Sequence, residues 1–207
     1  MIQSSSDIEF VGMENIEGLI NVKRTIPVLA NVYVNLSRRR GIHMSRLYRV
    51  LMDELFEKKL SWQSSFELMC ALILSQQDGS IAESRQTADT KQKTNPNSEN
   101  AKLQISGRWT KKQTSLVTGL KGLRQYPFRM QWFYSLKKPD DLKLQIRLRL
   151  LYSSTCPMSL ALSEEVWKQD DVATPHAQRS QAIVVLNLNW KQIKKNKITI
   201  SEYMDQV

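Results

Sequence analysis

The sequence predicts an α+β fold built on antiparallel sheet, and three observations carry that expectation. Period-two apolar alternation recurs along the chain, two consecutive helical stripes interrupt it, and the strands come in runs rather than alternating singly with helices.

Thr25 to Leu36 opens the pattern, with Ile26, Val28, Ala30, Val32, Val34 and Leu36 on one face of a half-buried strand. Pro27 near its start suggests a strand beginning or an edge. From Met44 the period becomes helical: Met44, Leu47, Tyr48, Leu51, Leu55 and Phe56 form one stripe. Ser61 to Ser65 offers caps for a second helix, whose stripe is Phe66, Met69, Cys70, Ile73 and Leu74. Cys70, inside that stripe, reads as a small buried thiol. Gln76 to Asn100 is polar, with turn signals at Asp78-Gly79 and Asn95-Pro96-Asn97, and reads as a long surface insertion.

Strand character returns around Leu103, Ile105 and Trp109, and again at Phe128, Met130, Trp132 and Tyr134. It is clearest from Leu142 to Tyr152, where Leu142, Leu144, Ile146, Leu148, Leu150 and Tyr152 face one way and Lys143, Arg147 and Arg149 the other. Ser159 to Lys168 is compatible with a short helix. Gln181 to Trp190 is a strand apolar enough to be covered on both faces, and Ile198 to Val207 reads as the first turns of a helix. The second half thus looks like an unfinished copy of the first. The expected units are 1–138, with the polar insertion near 76–100, and a partial unit at 139–207.

Length and composition narrow the function. The 207 residues, 41% hydrophobic, are enough to bury a core. No apolar run is long enough for a transmembrane helix. Met1 to Glu9 lacks the features of a signal peptide, and two cysteines give no disulfide framework, so a cytoplasmic protein is expected. The formal charge of +10 favours an anionic partner: nucleic acid, a phosphorylated metabolite or an acidic protein. Part of it clusters at Arg38 to Arg40 and Lys191 to Lys197, which are equally compatible with solvated loops.

The chain has only two histidines and two cysteines, and three of the four lie in two suggestive segments. Gly41-Ile42-His43-Met44-Ser45-Arg46 leads into the first helix. Ser154-Thr155-Cys156-Pro157 follows the long strand and is answered by His176-Ala177-Gln178-Arg179-Ser180. A thiolate and an imidazole are the usual materials of a metal site or an activated nucleophile. Each residue also has an ordinary reading: His43 as a capping or core histidine, Cys156 as a buried thiol after a strand, and Arg179 as a loop fastener.

These segments, in this order, resemble the type IB GTP cyclohydrolase I family. That family reads Gly-Thr-His-Met-Ser-Arg at the first segment, then Cys-Pro-Cys-Ser, then His-x-Gln-Arg-Ser. The resemblance implies a tunnelling fold of tandem ββααββ units, with helices on one face of the sheet. It implies homotetramers with active sites between subunits. The implied reaction opens the imidazole ring of GTP at C8, releases formate and yields 7,8-dihydroneopterin triphosphate for folate and pterin synthesis. It also implies a divalent metal (zinc, manganese or iron) at Cys156, with Cys156 and His176 catalytic. His43, Ser45, Arg46, Gln178 and Arg179 would contact substrate. Two departures stand out. The segment here is Cys156-Pro157-Met158-Ser159-Leu160-Ala161, without the family's second cysteine and Lys-Glu pair. The sequence also stops before the segment in which the family places further metal ligands, so an incomplete second unit is expected. The alternatives are a non-catalytic relative that binds nucleotide or pterin or only assembles, and an RNA-binding α+β protein using Arg147, Arg149 and the Lys191 to Lys197 run. RNA binding would want aromatics interleaved with basic residues on an exposed sheet face. Trp132 and Tyr134 instead alternate with core positions, which makes nucleic acid the less favoured partner.

Overall fold

A computed structural model describes residues 9–36, 41–76, 98–115, 118–138, 142–168 and 177–189, together with residues 200, 202 and 204. Six strands form one antiparallel sheet in sequence order: β1 (Phe10–Asn21), β2 (Thr25–Asn35), β3 (Asn100–Thr114), β4 (Lys121–Ser135), β5 (Lys143–Thr155) and β6 (Ala177–Asn189). Between β2 and β3 lie α1 (Met44–Val50), a π-helical continuation (Leu51–Phe56) and α2 (Trp62–Leu74); α3 (Pro157–Trp167) joins β5 to β6. The order through β4 is ββααββ, as the resemblance implies.

Alternation decides which face each strand buries. Val28, Val32, Leu103, Ile105, Met130, Trp132, Leu144 and Ile146 line one face and form a single core with Leu47, Leu51, Leu55, Leu68 and Leu72 of the helices. Trp132 and Tyr134 are buried in that core and present no stacking surface; on the opposite face Tyr33 and Phe133 are partly buried in a row with Lys102 and Lys143.

The helical stripes are displaced slightly from their sequence expectation. Leu47, Leu51 and Leu55 are fully buried, whereas Met44 and Tyr48 are exposed. The wider π turn, closed by the Glu57 N–H on the Met52 carbonyl (3.1 Å), keeps these three leucines in line. In α2 the buried set is Ser65, Leu68, Met69, Leu72 and Ile73, and Leu74 faces solvent. That helix is wedged between the sheet and α1, so its buried arc must serve two neighbours. Ser61 and Ser64 cap it reciprocally: Ser61 N–H donates to Ser64 Oγ (2.7 Å) and Ser64 N–H to Ser61 Oγ (3.1 Å).

Two strand expectations change. β1 was not expected as a strand, and it pairs with β2 from Phe10–Asn35 to Asn21–Thr25 through a bulge between Met13 and Ile16. Pro27 therefore lies in an interior strand, near its start. β6 is not covered on both faces: Val184, Leu186 and Leu188 pack on the core, while Ile183 and Val185 are 53% and 40% exposed. The basic runs at 38–40 and 191–197, and most of the 76–100 insertion, lie outside the described residues.

Candidate active site

Cys156 directly follows Thr155, the last residue of β5, and stands at the head of α3. Pro157 takes the first helical position, where a fixed φ and a missing N–H cost nothing. The half-exposed thiol makes no hydrogen bond of capping geometry, but it lies close to the first turn of the helix. The Ser159 backbone N–H is the largest influence and the Ser159 hydroxyl the next; both favour the thiolate. Desolvation opposes them, the Met158 N–H assists, and the thiol is held below its ordinary range. Cys70 behaves oppositely. Burial pushes its thiol up, the Tyr134 side chain works against that, and the Glu67 charge adds to it. Cys70 is the packed core thiol that its helical position suggests.

Gln178 and Arg179 share the Cys156 end of the sheet, with exposed side chains. Their partners across the β5–β6 ladder are Ser154 and Ser153. His176 immediately precedes Ala177, the partner of Thr155, and lies outside the described residues.

His43, Ser45 and Arg46 gather elsewhere. The His43 N–H donates to Gln76 Oε1 (2.7 Å), Gln76 Nε2 donates to the His43 carbonyl (3.3 Å), and Arg46 Nη1 donates to the Ser75 carbonyl (3.3 Å). These bonds tie the start of α1 to the end of α2. Gln76 is buried, and sequence reasoning passed over it. Its partner is 33 residues away, so only the polar end of an apolar helix could have flagged it. The side chains of His43 and Ser45 face solvent.

Strand register separates the two groups within one chain. Across the sheet, Asn100 is level with Ser135, and Phe133 with Lys143 at the start of β5. Val34, where β2 nears its end, is level with Ala101. The chain reaches His43 from that end; α1 then runs toward Lys59 and Leu60, which meet Asn21 at the other end. Cys156 lies beyond the far end of β5, a strand of 13 residues. At about 3.3 Å per residue that strand is roughly 40 Å long. His43, Ser45 and Arg46 therefore do not meet Cys156, Gln178 and Arg179 inside one chain.

Among the described residues no three His, Cys, Asp or Glu side chains form a group that could hold a metal ion. Cys156 offers one soft donor, so the described residues do not by themselves make a metal site.

An antiparallel sheet with ββααββ order through β4 and helices on one face define the class as an α+β protein, here with a thiolate-favouring cysteine at a helix mouth. The family profile described as type I GTP cyclohydrolase folE2 matches residues 2–207, and the chain belongs to that family. It is 31% identical over 213 residues to a protein of Pseudomonas putida named GTP cyclohydrolase FolE2, covering 87% of this chain and 62% of that one. A protein of the same name from Pseudoalteromonas atlantica is 30% identical over 220 residues, covering 91% and 65%. One from Serratia proteamaculans is 29% identical over 217 residues, covering 90% and 62%. The chain thus spans less than two thirds of the length of these curated relatives.

Proposed function

We propose that the chain is a GTP cyclohydrolase I subunit, or the larger part of one. It would act on C8 of GTP to release formate and give 7,8-dihydroneopterin triphosphate for folate and pterin synthesis. The single observation that carries this reading is the placement of Cys156: a thiol held toward thiolate, half-exposed at the head of α3, in a chain of the GTP cyclohydrolase family. In this reading Gln178 and Arg179 flank substrate on the Cys156 side, and His176 moves protons there. Arg179 and Arg46 suit phosphate oxygens. Cys156 contributes one donor to a divalent metal of zinc, manganese or iron type, with further donors coming from outside the described residues.

The separation of His43 from Cys156 by the length of the sheet supports an assembly. One chain supplies Cys156, Gln178 and Arg179 to a site, and a second copy supplies His43, Ser45 and Arg46. A cytoplasmic homotetramer and a division into units at 1–138 and 139–207 belong to the same proposal.

The test is GTP turnover, read as pterin fluorescence after oxidation, with manganese, zinc or ferrous iron supplied in turn. Cys156→Ala and His43→Ala should each abolish turnover. Co-refolding the two inactive variants in equal amounts should restore about one quarter of the wild-type rate, because random pairing puts both intact residues into that share of the sites. Folded protein that turns over no GTP with any of these metals would sink the activity. Turnover by the wild type with no recovery in the mixture would sink only the shared site.

A further inference from the structure

The sheet has a second face, and the helices leave it open. Its side chains fall into rows that can be followed strand by strand through the register. One row runs Glu17, Leu29, Ser106, Arg129, Arg147, Val185 from β1 to β6. In the next, Leu19 faces Pro27, Arg108 faces Pro127, and Arg149 faces Ile183. These two rows floor an open concavity of about 1220 Å³.

Arg129 and Arg147 are direct cross-strand partners, and both are exposed. Like charges at such positions stand about 5 Å apart at Cβ and repel. Arg149 follows Arg147 on the same face, and Arg108 lies diagonally across from Arg129. Among the described residues no carboxylate is at ion-pair distance from any of the four, and the one polar contact they have is a long one from Arg108 to Gln125 Oε1 (3.4 Å). Glu17, the acidic residue lining the concavity, is three strands from Arg129, roughly 14 Å at ordinary strand spacing. Half-exposed Leu19, Leu29, Ile183 and Val185 flank the arginines with apolar walls, which concentrate the field between them.

Four guanidinium groups without counter-charges among the described residues, two of them face to face, are complementary to a compact anion with several oxygens. We propose that this open face is a polyphosphate site: Arg129, Arg147 and Arg149, flanked by Arg108, hold a chain of two or three phosphates. Forked N–H donors match phosphate oxygens pairwise, and the anion replaces repulsion between Arg129 and Arg147 with two attractions. No aromatic stands in either row; Tyr33 and Phe133, aromatics of this face, lie four residues along their strands from Leu29 and Arg129 and are partly buried, so the arginines have no stacking surface beside them. The site lies mid-sheet, six residues of β5 short of Thr155, and is separate from Cys156. It does not depend on the proposed activity.

The experiment measures binding of inorganic triphosphate to the whole 207-residue chain by calorimetry and by thermal unfolding, at ionic strength matched with sodium chloride. The wild type should bind and its Tm should rise. Arg129→Gln/Arg147→Gln should bind at least about tenfold more weakly. Its Tm without anion should equal or exceed that of the wild type, because a repulsion has been removed; this guards against a folding artefact. Lys58→Gln/Lys59→Gln, the same charge change on the helical side, should bind like the wild type. GTP in place of inorganic triphosphate identifies the source of the phosphate chain: equal binding means the chain alone is read, and tighter GTP binding with the same loss in the arginine variant means a nucleotide carries it. No binding above the chloride control, or equal loss in the lysine variant, would overturn the site. A single-stranded RNA that binds more tightly than triphosphate and loses that binding in the arginine variant would overturn it in favour of a nucleic-acid face.

Discussion

The ring of Phe56 stands over Gly18: a β-carbon on Gly18 would fall 2.3 Å from Cε1 and Cζ of that ring. The absent side chain lets the end of the π-helical segment lie against β1. Gly18→Ala should therefore destabilise the fold by about 1–3 kcal/mol through overpacking. The loss should shrink when Phe56→Leu is made in the same chain, since the smaller side chain yields the space. Urea unfolding of the two single variants and the double variant measures this coupling, and full additivity would contradict it.

Cys156 and Cys70 should separate by reactivity. The thiol favoured as thiolate by Ser159 should be alkylated by iodoacetamide at neutral pH, with its rate levelling off at lower pH than for an ordinary cysteine. Partly buried Cys70, whose thiol is pushed up by desolvation, should react mainly at higher pH or on unfolding. Ser159→Ala should move the Cys156 profile upward, part of the way. Peptide mapping after timed labelling reads both sites, and equal labelling of the two would refute the assignment.

Tyr33 should ionise late. Its hydroxyl donates to Glu14 Oε1 (2.6 Å); burial first, and then the bond and charge of Glu14, push its pKa up to about 12 from the usual 10. Because the folded value is the higher one, this phenol's contribution to stability is complete below pH 10. It fades as the pH rises toward 12. The difference in ultraviolet titration between the wild type and Tyr33→Phe isolates the residue, and Glu14→Gln should bring its midpoint down.

How much of this was legible differs from element to element. β2 and β5 announce themselves because apolar residues recur unbroken at every second position over five or more residues, with polar or charged ones such as Asn31, Lys143, Arg147 and Arg149 between them. β1 does not: a bulge, Asn15 at φ +56° and glycines at 12 and 18 break its period, and its pairing comes from β2 rather than from its own pattern. Ile183 and Val185 made β6 look doubly covered, because apolarity reports what a residue could bury, not whether a neighbour is there to bury it. The site segments were visible as motifs. Their placement at opposite ends of the sheet was not, since that depends on strand direction and register accumulated over five pairings.

Asn35 should matter more than an exposed asparagine. Its Oδ1 accepts the N–H groups of Glu99 (2.8 Å) and Asn100 (2.7 Å), and its carbonyl accepts Ser98 Oγ (2.7 Å). Asn35→Ala strands two part-buried donors and should cost about 2 kcal/mol in chemical unfolding. A change within a few tenths would mean that water replaces the side chain.

With Gln76 fastened to His43 on one side and Ser98 to Asn35 on the other, the chain between them is stapled at both margins. The end of α2 and the entry of β3 are thus each anchored by their own side-chain bonds, at two points 22 residues apart in sequence but both tied to the β2–α1 segment.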